Sequence, residues 1–178
     1  MGVTTVAYRY AQALLDLSTE QNSVEKVNAD MEQLSTICDE SSEFENFLNS
    51  PIIDARKKMD VFKVLFESKM EKISFGFLNL IVKNERENLI PEIAEGFVKL
   101  YKKANNIVEV TVISAVKLDA ATKEKIVAKI KAKTNGTIEL TEEVDASLIG
   151  GFIVRIDDTQ IDSSVASKLT NLKNALLN

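Results

Sequence analysis

The sequence predicts an α+β fold, with an N-terminal six-helix bundle followed by a small C-terminal domain of mixed sheet plus helices. Up to Lys103, apolar residues recur at helical spacing; from Val108 onward they recur at every second position, as in a half-buried strand. Closer to the C-terminus, Gly150 and Gly151 precede the apolar run Phe152–Ile156. Paired glycines before such a run predict a sharp backbone bend that leads into another strand.

The composition excludes several functional classes. The chain has 178 residues, of which 45% are hydrophobic and 28% charged, as is ordinary for a globular protein with a sizeable core. Its net charge of −5 argues against nucleic acid as the main partner. Because the sequence contains no His, catalytic triads and His-ligated metal sites are excluded. The single Cys38 cannot form an internal disulfide, which is typical of a reducing compartment.

Two of the predicted helices carry more apolar surface than a bundle needs. The first, Val3–Ser18, has an inner stripe and a second stripe on another face. The inner stripe is Val3, Ala7, Ala11 and Leu14, and the second is Val6, Tyr10, Ala13 and Leu17. In the fifth, Glu71–Asn84, apolar side chains cover nearly the whole circumference, and Phe75, Leu78 and Val82 are assigned to the core. Two interpretations follow from the residues alone: either both helices lie centrally in the bundle, or they form a groove for an amphipathic helix of a partner.

Capping and helix-breaking residues predict the remaining helices. Asn22 and Ser42 are predicted to cap the second and third helices, each with a Glu three residues later. Asp54 is predicted to cap the fourth helix, and Pro91 suits the first turn of the sixth. In the fourth helix the predicted inward residues are Val61 and Leu65, with Phe62 as a further candidate.

The C-terminal half is predicted to follow the order strand, helix, strand, strand, helix. Asn105 and Asn106 end the helical half, so the domains are predicted at residues 1–105 and 106–178, joined by a short hinge near residues 104–107. A polar turn is predicted at residues 157–160, and Asp162 is predicted to cap the last helix. The apolar residues of that helix are Val165, Leu169, Leu172 and Leu176.

No motif in the chain predicts chemistry. The phosphate-loop pattern G-x-x-x-x-G-K-[ST] does not occur. Asp157, Asp158 and Asp162 could suggest a calcium site, but they lack the ligand order and central Gly of an EF-hand loop. We therefore expect no catalytic residue, no metal and no cofactor.

Around Gly150-Gly151, Asp145 is followed by S-L-I-G-G, an apolar strand ending in Arg155-Ile156, and I-D-x-S-V from Ile161. This stretch resembles the C-terminal signature of the delta subunit of F-type ATP synthases, whose mitochondrial counterpart is the oligomycin-sensitivity-conferring subunit. Weaker matches occur in the family's order at Val6–Leu15, Asn79–Ile93 and Val108–Ala115. The chain departs from the family at Asp157-Asp158, where a Gly is usual, and at Ala166, where a basic residue is common.

The resemblance implies a non-catalytic stator subunit, which links the alpha subunits of the catalytic head to the b subunits of the peripheral stalk so that proton flow is coupled to ATP synthesis. It implies that the helical domain binds the N-terminal helix of an alpha subunit, and that the C-terminal domain binds the b subunits. The expected groove residues are Tyr10, Ala13, Leu17, Phe77, Leu80 and Asn84. The expected structural signature residues are Asp145, Gly150, Gly151 and Asp162.

The resemblance also implies a location. We expect a peripheral protein at the cytoplasmic face of the bacterial inner membrane, held there through the complex, without nucleic acid and without an obligate homo-oligomer. Two alternatives are a helical-bundle adaptor of an unrelated complex and a small-ligand-binding α+β module.

Overall fold

A computed structural model describes residues 4–116, 119–131, 136–146, 148, 150–156, 159–162, 164, 165 and 167. The chain divides into two compact units, Met1–Tyr101 and Lys102–Asn178. Helices build the first unit, and the second contains a four-stranded sheet with a helix. The predicted α+β class with a C-terminal sheet is thereby confirmed.

Six α-helices and one 3-10 turn precede the first strand within the described residues. They are α1 (Thr5–Glu20), α2 (Val24–Glu40), α3 (Ser42–Asn49), α4 (Ala55–Phe66), α5 (Lys72–Lys83) and α6 (Ile90–Ala104), with the 3-10 turn at Glu87–Leu89. Pro91 is the second residue of α6, where its missing N–H costs no helical hydrogen bond.

The core of the helical unit contains one buried face of α1 and one of α5. Ala7, Ala11 and Leu14 of α1 are at most 1% exposed, and so are Leu78 and Val82 of α5. These are inward residues that helical periodicity predicts. Phe75 is half-buried and packs against the same core.

The inward face of α4 agrees with the prediction at Phe62 but differs from it at Val61 and Leu65. Phe62 and Phe66 are buried, and their ring centroids each lie 6.1 Å from that of Phe44 in α3. Val61 and Leu65, predicted to face inward, are 38% and 41% exposed. The buried face also carries Lys58, and this charged residue interrupts the apolar pattern on which the prediction rested.

Lys58 is 2% exposed and joins three elements of the helical unit. Its Nζ donates to the carbonyl oxygen of Leu48 at 2.9 Å and to Oε1 of Glu87 at 2.5 Å. Leu48 lies in the last turn of α3, where carbonyls lack a helical partner. Lys58, on α4, therefore provides a hydrogen bond to a free carbonyl at the end of α3 and an ion pair with the 3-10 turn.

Two predicted N-caps are shifted by one residue. Ser23 rather than Asn22 precedes α2, and Asn22 has a left-handed φ of 53°. Ser41 rather than Ser42 caps α3, where its Oγ accepts the amide N–H of Phe44 at 3.2 Å. In both places two residues able to cap a helix are adjacent, so the pattern does not decide between them. Asp54 caps α4 as predicted.

The C-terminal unit is a mixed sheet in the order β2-β1-β3-β4. The elements are β1 (Ile107–Ser114), α7 (Ala120–Lys131), β2 (Thr137–Val144), β3 (Phe152–Ile156) and β4 (Thr159–Asp162). β1 pairs parallel to β2, with α7 as the crossover helix, and antiparallel to β3. β3 pairs antiparallel to β4.

One face of this sheet forms the core of the C-terminal unit. Val110 and Val112 of β1 are buried with Val154 of β3, and Ile126 and Ile130 of α7 join them. Glu109, between half-buried Val108 and buried Val110, is exposed, as the alternating pattern predicts.

The end of the sheet differs from the prediction. Thr159 and Gln160, predicted as part of a polar turn, lie in β4, where Gln160 pairs with Arg155 of β3. All four residues of β4 are exposed, so no burial pattern marked them as a strand. Most of the predicted last helix, including Leu169, Leu172 and Leu176, lies outside the described residues.

Gly151 has a φ of 82°, which other residues rarely adopt. Gly150 packs against the residues that follow the sheet: its carbonyl oxygen accepts the amide N–H of Val165 at 2.9 Å. A Cβ on Gly150 would lie 3.3 Å from Cγ2 of Val165. The predicted sharp bend is confirmed at Gly151.

Candidate functional site on helices α1 and α5

The outer stripe of α1 is apolar and open to solvent. Tyr10 is half-buried, Ala13 is exposed, and Leu17 is 40% exposed. These residues lie beside the buried face formed by Ala7, Ala11 and Leu14, so α1 is apolar on two faces. The inner face alone is enough to pack α1 against the helical core.

Helix α5 has a matching outer stripe. Phe77 is half-buried, Leu80 is 49% exposed, and Asn84 is exposed at the C-cap. Ser74, Leu78, Ile81 and Val82 form the buried face of this helix. The three outer residues are spaced three and four apart and therefore share one side of α5.

The structure brings two of the predicted groove residues into direct contact. The rings of Tyr10 on α1 and Phe77 on α5 meet edge to face, with centroids 6.3 Å apart and an interplanar angle of 69°. Edge-to-face contact is a favoured geometry for aromatic pairs. This contact joins the two helices at their outer stripes, and we refer to Tyr10, Ala13, Leu17, Phe77, Leu80 and Asn84 together as the α1–α5 face.

Small residues leave room on the α1–α5 face. Ala13 is exposed, and Gly76 of α5 has no heavy atom within 4 Å of the position that a Cβ would take. A partner helix can approach closely where side chains are small, and half-exposed Leu17 and Leu80 would lose their contact with water under it. The face therefore combines small residues with exposed apolar side chains.

The sequence pattern did not identify several other apolar residues that the structure shows to be exposed. Tyr8 is 48% exposed on α1, and Ile52 and Val64, before and within α4, are 92% and 83% exposed. Val64 lies three residues after Val61 and one before Leu65, so α4 also has an outer apolar stripe. Because charged Lys58 occupies a buried position, the sequence pattern assigned Val61 and Leu65 to the core and did not reveal this exposed stripe.

The signature residues have local roles in the C-terminal unit. The amide N–H of Asp145 donates to the carbonyl oxygen of Ser114 at 2.9 Å, which fixes the chain after β2 to the end of β1. Asp162 accepts hydrogen bonds from the hydroxyl of Ser167 at 2.6 Å and the amide of Ser164 at 2.8 Å. These bonds hold the pKa of the Asp162 carboxyl below its usual value.

Ser164 also makes a contact typical of an N-cap. Its Oγ accepts the amide N–H of Ser167 at 3.2 Å, three residues later. Asp162 is a second anchor of the same segment. Both residues, with Gly150, hold the chain where it leaves β4.

The described residues offer little support for a chemical site. No group of three or more His, Cys, Asp or Glu side chains among them could hold a metal ion. Cys38 is buried, and burial together with Asp39 and Glu45 raises its pKa to about 12, so that its sulfur is a thiol at neutral pH.

A polar cavity of about 560 Å³ lies in the helical unit and is lined by Asp54, Lys58 and Glu87 among others. Asp54 caps α4, and Lys58 pairs with Glu87, so these side chains already have structural roles. In the part of the chain that is described, no helix is long and apolar enough to cross a membrane.

Comparison with known proteins decides the family. Residues 6–176 match the family described as ATP synthase delta (OSCP) subunit. The ATP synthase subunit delta of Cytophaga hutchinsonii is 35% identical over 176 residues, which are 98% of this chain and 95% of the relative. That of Flavobacterium johnsoniae is 33% identical over 178 residues, which are 100% of both chains.

The chain belongs to the ATP synthase delta (OSCP) family. A chain in the cryo-EM structure of the Toxoplasma gondii mitochondrial ATP synthase hexamer has the same fold, with a TM-score of 0.77 and 27% identity over 98% of this chain and 99% of that chain. The resemblance inferred from the sequence is confirmed. The function is that of a peripheral-stalk subunit of F-type ATP synthase.

The motifs of the delta-family resemblance fall on elements that matter for the site. Val6–Leu15 lies within α1, and Asn79–Ile93 runs from α5 through the 3-10 turn into α6. Val108–Ala115 covers most of the central strand β1. The N-terminal delta-family motifs therefore include Tyr10, Ala13 and Leu80 of the α1–α5 face.

Proposed function

We propose that this chain is the adaptor between the catalytic head and the peripheral stalk of a bacterial F-type ATP synthase. The first six helices, in residues 1–105, act as a bundle that binds the N-terminal helix of an alpha subunit. Residues 106–178 bind the b subunits. The catalytic head is thereby kept from turning with the central rotor, which couples proton flow to ATP synthesis.

The α1–α5 face carries this proposal. Leu17 and Leu80 are 40% and 49% exposed, although each belongs to a helix whose other face already forms the core. Their burial under a partner helix would contribute roughly 1–2 kcal/mol each. The ring contact of Tyr10 with Phe77 lies between the two helices and would give the partner helix a rigid aromatic surface to pack against.

The subunit is proposed to carry out no chemistry of its own. The sequence contains no His, and the one Cys is a buried thiol. The complex places the chain at the cytoplasmic face of the bacterial inner membrane as a peripheral protein. Among the alternatives, an adaptor of an unrelated complex is disfavoured by the family match over residues 6–176. A small-ligand-binding C-terminal module lacks a described site that would support it.

Calorimetric titration of the full chain with a synthetic peptide of the alpha subunit's N-terminal helix tests the proposal. We expect saturable binding of one peptide per chain. A scrambled peptide of the same composition is the control and should not bind. Equal binding of both peptides, or no binding of either, would contradict the proposed role of the helical unit.

A further inference from the structure

The boundary between the two units falls inside helix α6, not in the loop that follows it. α6 continues to Ala104, whereas the C-terminal unit begins at Lys102. The last turn of α6 is thus grouped with the sheet. The contacts of Lys102, Asn106 and Gly136 explain why.

Lys102 ties the last turn of α6 to two strands. Its Nζ forms an ion pair with Glu109 of β1 and a second with Glu139 of β2, the latter at 2.8 Å. Glu109 and Glu139 are paired residues in the parallel register of the two strands, so one cation bridges both. The Lys102 side chain is 16% exposed. Burial lowers its pKa, but the hydrogen bonds and the negative charges of Glu109 and Glu139 together outweigh burial, and the pKa is raised.

Asn106 ties the connection after α6 to the start of β2. Its carbonyl oxygen accepts the amide N–H of Thr137 at 3.0 Å, and its own amide N–H donates to the carbonyl of Lys103 at 3.2 Å. Asn106 has a left-handed φ of 52°, a conformation that Asn tolerates better than most residues. The backbone thus turns back toward the sheet directly after the helix.

Gly136 makes this close approach possible. A Cβ at Gly136 would lie 2.2 Å from the carbonyl oxygen of Asn106, far inside van der Waals contact. The neighbouring atom is backbone, so it cannot rotate away as a side chain would. The absence of a side chain at residue 136 is therefore required for the hydrogen bond between Thr137 and Asn106.

We propose that Lys102, Asn106 and Gly136 form a clasp that makes the last turn of α6 and the Asn105-Asn106 connection part of the C-terminal unit. These residues open together with β1 and β2, and the connection is not a free hinge. The change of sequence pattern alone predicts a hinge near residues 104–107. The clasp assigns residues 102–106 to the C-terminal unit instead.

Amide hydrogen exchange of the full chain, followed by NMR, tests the clasp. In the wild type, the amides of Asn106 and Thr137 should be protected within about tenfold of the amide of Val112 in the central strand. Exchange of Asn106 and Thr137 at the rate of an unstructured peptide would overturn the proposal.

Two variants and a control make the test specific. Lys102→Met should raise exchange at Asn106 and Thr137 by roughly three- to tenfold, and Gly136→Ala by more. Lys99→Met is the control, because Lys99 also lies on α6 and pairs with Glu95 on the same helix rather than with a strand. If Gly136→Ala unfolds the C-terminal unit, the exchange rates of Asn106 and Thr137 in Lys102→Met alone decide whether the clasp exists. Unchanged exchange in Lys102→Met, or an equal rise in Lys99→Met, would overturn the proposal.

Discussion

The ring of Phe77 on α5 meets the ring of Tyr10 on α1 edge to face, with centroids 6.3 Å apart. Both residues lie on the outer faces of their helices, next to the more exposed Leu80 and Leu17. The contact holds the two outer stripes together, which would preorganise this face for the partner helix that we propose. Preorganisation of this kind lowers the ordering cost of binding.

Phe77→Leu should lower the free energy of unfolding by about 1 kcal/mol, because the aromatic pair is lost while an apolar side chain remains. Chemical denaturation measures this change. Val64→Leu is a suitable control, since Val64 is 83% exposed on α4, and its effect should stay within about 0.5 kcal/mol. Equal free energies of unfolding for wild type and Phe77→Leu would show that the ring contact does not stabilise the fold.

Lys58→Met should destabilise the helical unit by about 3 kcal/mol. The substitution leaves the carboxylate of Glu87 and the carbonyl of Leu48 without their cation, in a setting where Lys58 is 2% exposed. Thermal or urea unfolding measures the loss. Lys57→Met, one residue earlier and exposed, is the matched control and should be nearly neutral. Similar effects of the two substitutions would contradict the role assigned to the buried cation.

Gly151→Ala should lower the free energy of unfolding by about 1 kcal/mol or more, because φ at this position is 82°. Gly76→Ala serves as a control with the opposite sign. Gly76 lies within α5 with open space around its Cβ position, so alanine there should stabilise by up to about 1 kcal/mol. A loss below a few tenths of a kcal/mol at Gly151 would mean that the glycine pair is merely flexible.

Cys38 should react slowly with thiol reagents in the native protein. Its pKa of about 12 leaves very little thiolate at pH 8, whereas an unperturbed cysteine has a pKa near 8.5. The rate with iodoacetamide at pH 8 should be roughly a thousandfold lower in the native chain than in the chain unfolded in urea. A native rate within tenfold of the unfolded rate would show that the thiol is accessible and ionised.

The sequence was most informative where the apolar residues follow a single repeat, either helical spacing or strand alternation. Both faces of α1 and α5 follow from helical spacing, and Val110 and Val112 follow from alternation. The contact between Tyr10 and Phe77 could not be predicted, because periodicity assigns a residue to a face but does not say which helix lies beside it.

The failures have specific physical causes. On α4 the pattern selected Val61 and Leu65, but the buried face includes Lys58, whose charge is neutralised by Glu87 from another element. Thr159 and Gln160 of β4 were predicted as part of a turn because they are polar, but they pair with Ile156 and Arg155 of β3. Both depend on tertiary partners, which local spacing does not encode.

We propose that the α1–α5 face binds the helix of an alpha subunit, and Leu80→Asp tests this binding. A carboxylate at this half-exposed position stays hydrated in the free subunit but must be dehydrated under a partner helix. Binding should weaken by about 2–4 kcal/mol, or roughly 30- to 1000-fold. The free subunit should melt almost as the wild type does.

The decisive measurement is calorimetric titration of the alpha-subunit peptide into wild type, Leu80→Asp and the control Val64→Asp, beside thermal melts of all three. We expect weakened binding for Leu80→Asp alone, with three similar melts. Unchanged binding by Leu80→Asp would show that the partner docks elsewhere, and a collapsed melt would show that Leu80 belongs to the core.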